Sequence, residues 1–212
     1  MLNAVIDLSH HNTISSFAAI KGAGVLGVIH KATQGTGYTD PAFAGNSTQI
    51  QVAGLLLGAY HFGEGGDAAA QASHFLSVAG KTPLLVLDFE ANTQGQTMSV
   101  AEAEQFVQQV YSATGRYPGL YSGASFLKQA LAGAGITSPA QTVLSKCWLW
   151  VAEYAASPQI PPLWQDWTLW QYTDGVNGDE PRTVGGVTGG CDRDQFNGSA
   201  AQLAALWQGP AS

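Results

Sequence analysis

Two carboxylates stand two positions apart at the end of an apolar segment, residues 84–90 with the sequence LLVLDFE. If this segment is a strand, Asp88 and Glu90 face the same side with Cα atoms about 6.5 Å apart, because side chains alternate across a strand. Two carboxylates so close resist ionising together, so the pKa of one should rise and that group can stay protonated. Cleavage of a glycosidic bond needs such an acid beside a second carboxylate.

The same pair also has a purely structural interpretation, in which the carboxylates cap a helix or pair with a cation. The chain has only eight Lys and Arg residues. Among them, only Lys31 ends an apolar run in a comparable way. A salt-bridge network around Asp88 and Glu90 is therefore not favoured. Because Asp-x-Glu is a short motif, the catalytic interpretation depends on the elements that carry it.

Eight apolar runs with the lengths of strands recur along the chain. They cover 4–8, 25–31, 55–62, 83–90, 119–122, 148–153, 168–172 and 191–196. Helical spacing fills the intervals 14–21, 42–52, 67–78 and 100–114. The last helix has Ser99 as its cap, Glu102 as capping-box partner and Gly115 as its stop. This alternation of strands and helices predicts a parallel sheet.

We therefore predict an α/β fold, an irregular TIM-like (β/α) barrel with eight strands. Residues 158–162 are rich in proline and 173–190 in glycine, so some outer helices should be missing in the C-terminal half. The 212 residues are few for a barrel that typically takes about 250. They are predicted to form a single domain, 1–212. A doubly wound open sheet is the competing architecture.

Polar and aromatic residues gather at the ends of these predicted strands, where the functional groups of such a barrel lie. The first predicted strand ends near Asp7 and the second at Lys31. The third ends near Tyr60 and His61, and the fourth with Asp88 and Glu90. Aromatic residues recur near the ends of the later strands. Aromatic faces suit the C–H faces of sugar rings, so a carbohydrate groove is predicted.

Composition excludes several other classes of function. The net charge is −7, which repels nucleic acid and acidic membranes. Neither a signal peptide nor a membrane span is visible. Histidines near Asp7 and Asp88 are chemically able to bind zinc, but no short-range ligand motif supports a metal, and no cofactor is expected. Cys147 and Cys191 are expected to be reduced thiols, and no Gly-x-Ser-x-Gly elbow indicates a serine nucleophile.

Several motifs in order resemble glycoside hydrolase family 25, the lysozymes sometimes called the Chalaropsis type, from residue 5 to residue 198. They are VIDLSHH at 5–11, VIHKAT at 28–33, GAYHF at 58–62, DFE at 88–90, LWVA at 149–152, WQY at 170–172, and Asp192 before FNG at 196–198. The chain departs from the family pattern at Asn12 and Gln34, where Gln and Glu are usual. Its last strand reads CDRD where the family favours VDLN, so Asp194 remains an alternative to Asp192.

The resemblance implies a muramidase that hydrolyses the β-1,4 bond between N-acetylmuramic acid and N-acetylglucosamine in peptidoglycan. By resemblance, Glu90 is the proton donor and Asp88 the assisting carboxylate, while Asp7 and Asp192 complete an acidic ring. Substrate contacts are implied for five further residues: Tyr60, His61, Tyr121, Trp150 and Gln171. Retention with the substrate's own acetamide as nucleophile and inversion with Asp7 or Asp192 holding a water both remain open.

Two other functions compete with this interpretation. One is a chitinase or acetylglucosaminidase acting on another aminosugar polymer, and the other is a glycan-binding protein without activity. The expected partner is the glycan strand of peptidoglycan, with no nucleic acid or membrane partner and a monomeric state. Without a visible export signal, delivery to the wall is expected by holin release of a phage lysin, or by injection as an effector.

Overall fold

The computed structural model describes residues 1–209, in which eight strands close into a barrel. The barrel strands are β1 (Leu2–Leu8), β2 (Gly27–Gln34), β3 (Leu56–Phe62), β4 (Leu84–Asp88), β5 (Gly119–Gly123), β6 (Leu149–Ala152), β7 (Leu169–Thr173) and β8 (Asp192–Phe196). The helices are α1 (Phe17–Gly22), α2 (Phe43–Val52), α3 (Ala68–Ala79), α4 (Val100–Thr114), α5 (Ala124–Gly133) and α6 (Ala200–Gln208). Short 3-10 turns cover Pro139–Gln141 and Val143–Lys146.

Strands β1 to β7 run parallel, and β1 pairs with both β2 and β8, which closes the barrel. This confirms the predicted TIM-like barrel and excludes the open sheet. The expectation of an all-parallel sheet is wrong for β8, which is antiparallel to β7 and β1. No helix intervenes between β7 and β8 in the described chain, so β8 can return in the opposite direction without the crossover that a parallel strand needs.

The helices cover the outside of the barrel, and their apolar faces pack against the outward side chains of the strands. Helix α4 has the predicted bounds, with a capping box between Ser99 and Glu102 and Gly115 in the left-handed conformation at φ 73°. In the described chain, no α-helix lies between β6 and β7 or between β7 and β8, which agrees with the prediction that outer helices are missing in the C-terminal half. Helices α5 and α6 were not anticipated.

Helix α6 closes the end of the barrel opposite the mouth. Trp207 is buried there and packs over Gly27 at the start of β2, where an added Cβ would lie 3.0 Å from the indole. Arg116 binds the end of α6 through the carbonyls of Leu206 and Trp207, at 2.9 and 3.3 Å. Side chains of the described residues therefore fill the end of the barrel opposite the mouth.

Two short antiparallel pairings involve strands outside the eight barrel strands. Thr13–Ile14 pairs with Val187–Thr188, and Tyr38–Thr39 pairs with the end of β2. Within residues 1–209, no helix is both long enough and apolar enough to cross a membrane. Cys147 and Cys191 are buried free thiols. The last part of the predicted domain, residues 210–212, lies outside the described residues.

Candidate active site

Four carboxylates meet at the mouth of the barrel. Asp7 and Asp88 lie near the C-terminal ends of β1 and β4 and are 7% and 6% exposed. The strand predicted over 83–90 ends at Asp88, so Glu90 follows it by two residues, although Phe89 still donates its backbone N–H to the Tyr121 carbonyl at 2.9 Å. Phe89 itself packs outward against Phe126. The loop therefore carries Glu90 away from the sheet and over the opening.

The reversed direction of β8 explains how its first residue reaches this mouth. Asp192 is the register partner of Asp7, so the N-terminal end of β8 lies beside the C-terminal end of β1. Asp194 faces the same interior because it is two positions further along β8, but it lies deeper and is 0% exposed. Asp192, and not Asp194, borders the cavity.

The cavity at the mouth has a volume of about 270 Å³. It is lined by Asp7, Tyr60, Asp88, Glu90, Tyr121, Trp150, Tyr154, Gln171 and Asp192. The structure thus brings together all the residues expected at the site except His61. Tyr154 was not among the substrate contacts that the resemblance implies, although it is one of the aromatic residues near the later strand ends. It follows β6 by two positions, as Glu90 follows β4.

His61 requires a correction, because its side chain points out of the barrel and not into the cavity. It is 0% exposed, stacks on Phe106 with ring centroids 4.8 Å apart, and contacts Thr33 Oγ1 at 2.8 Å and Gln71 Oε1 at 3.1 Å. Burial lowers its pKa to about 4. Since Tyr60 faces the interior, its neighbour must face outward. His61 belongs to the packing between strands and helices and is not placed to contact substrate.

Gln171 forms hydrogen bonds with side chains of three other residues at the inner end of the cavity, which we call its floor. Its Oε1 accepts hydrogen bonds from the hydroxyls of Tyr121 and Tyr154, both at 2.9 Å, and its Nε2 donates to Asp7 Oδ2 at 2.8 Å. Trp150 is 1% exposed, and its ring meets Tyr121 edge to face at 4.8 Å. Side chains from β1, β5, β6 and β7 are therefore fixed relative to one another before any ligand binds.

Burial raises the pKa of both residues of the Asp-x-Glu pair. For Asp88, burial is the largest cause and the charge of Glu90 adds to it, while the charge of Lys31 opposes them. For Glu90, burial raises the pKa, Lys31 lowers it and Asp192 raises it. Among the described residues, no ion pair includes Asp88 or Glu90, so the salt-bridge interpretation fails. The pair can hold a proton where an exposed carboxyl would have lost it.

The other two carboxylates are also shifted towards the protonated form. Burial, followed by the charges of Asp192 and Asp194, raises the pKa of Asp7 well above its usual range, while Gln171 opposes the shift. Burial raises the pKa of Asp192 to about 6. Four carboxyl groups around one cavity cannot all be ionised without strong repulsion. The mouth can therefore hold protonated and ionised carboxyls together at pH values where exposed carboxyls are all ionised.

A second, larger cavity of about 800 Å³ adjoins the first at Glu90, which lines both. It is bordered by His10, His11, Lys31, Gln34, Thr36, Gly37, Tyr38, Phe62, Glu64, Glu90, Ala91, Asn92, Thr93 and Gln94. Lys31 Nζ lies 5.1 Å from the centroid of Phe62 and donates to Gln34 Oε1 at 2.7 Å. Glu90 therefore stands at the junction of the two cavities.

Metal binding is not indicated by the described residues, which contain no group of three or more His, Cys, Asp or Glu side chains placed to hold an ion. His30 and His61 lie outside the mouth. The Nε2 atom of His30 lies 2.9 Å from Asn46 Nδ2. His10 instead contacts Asp40, with Nδ1 2.8 Å from Oδ2. The histidines therefore serve separate local contacts.

Comparison with known proteins places this geometry in a family. The family model described as glycosyl hydrolases family 25 matches residues 6–180. Lysozyme M1 of Streptomyces globisporus is 33% identical over 217 residues, covering 95% of this chain and 70% of that protein. The N,O-diacetylmuramidase of a Chalaropsis species is 30% identical over 190 residues, covering 79% of this chain and 86% of that protein.

Solved structures agree with these sequence matches. The bacterial lysozyme from Streptomyces coelicolor superposes with a TM-score of 0.84 at 31% identity, covering 98% of this chain and 97% of that one. The family GH25 lysozyme from Aspergillus fumigatus superposes with a TM-score of 0.79 at 32% identity, covering 98% and 99%. The sequence matches and the superposed structures therefore point to the same family.

Proposed function

Because the chain belongs to glycosyl hydrolases family 25, we propose that this glycoside hydrolase is a muramidase, which cleaves the β-1,4 bond from N-acetylmuramic acid to N-acetylglucosamine in peptidoglycan. The observation that carries the proposal is the position of Glu90 at the junction of two cavities. A glycosidic oxygen joins two sugar rings, so its proton donor must stand between the sites that hold them. Glu90 meets that requirement, and burial supports its protonated form.

In this proposal the acid-lined cavity holds the sugar whose anomeric carbon reacts, and the larger cavity holds the leaving sugar. Tyr60, Tyr121 and Trp150 offer ring faces and edges to the first sugar. The carboxylates around that cavity also suit the developing positive charge of an oxocarbenium-like transition state. The protein thereby stabilises the transition state more than the neutral substrate, as catalysis requires.

Asp88 is proposed to orient the acetamido group of the reacting sugar. Its Oδ1 is buried and has no hydrogen-bond partner among the described residues, so it can accept the N–H of an acetamide. Such a bond favours the ionised form of Asp88 and leaves the shared proton on Glu90. The acetamide oxygen then attacks the anomeric carbon as Glu90 protonates the leaving oxygen. A water later opens the oxazolinium intermediate, with Glu90 as base, and configuration is retained.

Inversion is the second candidate, and the pKa of Asp192 favours it. A carboxyl with a pKa of about 6 that borders the cavity can act as a general base for water. Asp7 suits that role less well, because its Oδ2 already accepts from Gln171. Proton NMR of the fresh product distinguishes the two mechanisms: the β anomer is expected for retention, whereas initial release of the α anomer would establish inversion.

Product analysis tests the proposed bond specificity. Purified protein would be incubated with peptidoglycan and, in parallel, with chitin, and the new reducing ends would be identified by mass spectrometry. Muramic acid reducing ends are expected from peptidoglycan. Glucosamine ends would instead assign a glucosaminidase, and faster cleavage of chitin would assign a chitinase. Binding to either polymer without cleavage would leave a glycan-binding protein.

A further inference from the structure

Asp194 is a buried carboxyl that the catalytic proposal leaves without a role. It lies one layer below the cavity on β8, with Val5 of β1 and Gln171 of β7 as its register partners. It is 0% exposed. A carboxylate at such a depth is costly unless it is hydrogen-bonded, paired or protonated.

The two oxygens of Asp194 have different surroundings. Oδ1 accepts a hydrogen bond from Trp150 Nε1 at 2.7 Å. Oδ2 is buried and meets no N–H or O–H donor among the described residues. A neutral carboxylic acid has this arrangement, with a carbonyl oxygen that accepts and a hydroxyl oxygen that donates.

The acceptor for such a hydroxyl is Asp7. Asp194 contacts Asp7 across the β1–β8 pair, and a contact between two carboxyl groups is a hydrogen bond only when one of them carries a proton. Asp7 Oδ2 already accepts from Gln171 Nε2 at 2.8 Å, which favours an ionised Asp7. Trp150 and Asp7 likewise favour an ionised Asp194, because both lower its pKa. Each carboxyl is thus held by a donor, and a single proton lies between the two.

The neighbouring charges do not offer Asp194 a better partner. Arg193, the nearest cation along β8, turns outward and donates to Thr183 O at 2.7 Å and to Asn3 Oδ1 at 3.1 Å. Asp192 on the same strand adds negative charge and raises the pKa of Asp194. The charge of Asp88 raises the pKa of Asp7 in the same way.

We propose that Asp194 is a positioning residue that shares one proton with Asp7, and so fixes the Asp7 carboxyl and the Trp150 ring at the cavity floor. Trp150 Nε1, both carboxyls and Gln171 then form one continuous chain of hydrogen bonds. The pair carries one negative charge instead of two beneath the reacting sugar. The positioning role rests on the proposed function, whereas the shared proton is a property of the free protein.

Asp194→Asn tests the shared proton directly. The amide keeps an oxygen for Trp150 and turns an N–H donor towards Asp7, so the fold is expected to persist while the titrating group is lost. In infrared difference spectra near neutral pH, the wild type should show a protonated carboxyl band that Asp194→Asn lacks. If the variant keeps every such band, the proposal is overturned, whatever the enzyme's substrate.

Stability against pH provides a second readout. An Asp whose pKa is raised by folding contributes most at low pH, and that contribution falls as pH rises from the unfolded pKa to the folded one. The wild type should therefore bind about one more proton on folding than Asp194→Asn above pH 4. Parallel pH dependences of the two unfolding free energies would overturn the proposal.

Activity tests the positioning role. Asp194→Leu removes both hydrogen bonds and is expected to lower kcat by about tenfold or more with a smaller change in KM. Asp194→Asn should recover most of that loss, because it restores the Trp150 acceptor and the Asp7 contact. Equal kcat values for the two variants would refute positioning through this pair.

Discussion

Replacing Gln171 by Met tests whether the hydrogen bonds at the cavity floor hold the site together. Methionine has a similar length and volume, so the change removes polar atoms and leaves little empty space. Gln171 is 3% exposed and makes three side-chain hydrogen bonds, two from tyrosine hydroxyls and one to Asp7. All three are lost in the variant.

The expected cost follows from the chemistry of these bonds. Each tyrosine bond contributes about 1 kcal/mol, and the bond to a carboxylate about 2 kcal/mol. The hydroxyls of Tyr121 and Tyr154 border the cavity and can bond to water instead, which reduces the total to about 3 kcal/mol. For a chain of this size, that corresponds to a fall in melting temperature of roughly 6–12 °C.

Urea unfolding at constant pH measures this loss, with Gln109→Met as the control. Gln109 is an exposed residue of α4, and substitution there should change the free energy of unfolding by less than about 0.5 kcal/mol. The kcat/KM of Gln171→Met should also fall, because Asp7 and Tyr121 lose their fixed orientation. A loss of stability below about 1 kcal/mol would refute the view that Gln171 organises the floor.

Three further outcomes are expected. Lys31→Gln should move the pH profile of kcat/KM to higher pH, because the charge of Lys31 lowers the pKa of both carboxyls of the Asp-x-Glu pair; a shift to lower pH would contradict this. His61→Leu should reduce the free energy of unfolding by about 2 kcal/mol, because Gln71 and Thr33 each lose a contact. The KM for peptidoglycan should not change, and a raised KM would show that His61 contacts substrate after all. Ser99→Ala should reduce the same free energy by about 1 kcal/mol through loss of the cap on α4, measured by thermal melting, and an unchanged melting temperature would count against the cap.

Local sequence patterns were sufficient for the features that depend on neighbours along the chain. The apolar run before Asp88 required a buried strand, and the spacing of Ser99, Glu102 and Gly115 set both ends of α4. Because parallel strands bring their C-terminal ends to one edge, the position of Asp7 followed from the same reasoning.

The direction of a strand, and the side of the strand on which a residue lies, were harder to predict. A strand pattern is the same in both directions, so the pattern did not reveal that β8 is antiparallel. Asp192 was expected at the site only from the family resemblance. Strict alternation could have separated Tyr60 from His61, had one of them first been placed inside the barrel. The contacts of Tyr154 and Asp194 join residues far apart in the chain, for which no local signal exists.

The central claim, that Glu90 delivers the proton to the leaving oxygen, is tested most directly by Glu90→Gln on two substrates. One is peptidoglycan, and the other is an N-acetylated oligosaccharide with an aryl leaving group that departs without protonation. Relative to a Glu104→Gln control on α4, the variant should lose about 10²- to 10⁴-fold activity on peptidoglycan, yet retain most of the initial rate of aryl release. An equal loss on both substrates would contradict Glu90 as the proton donor.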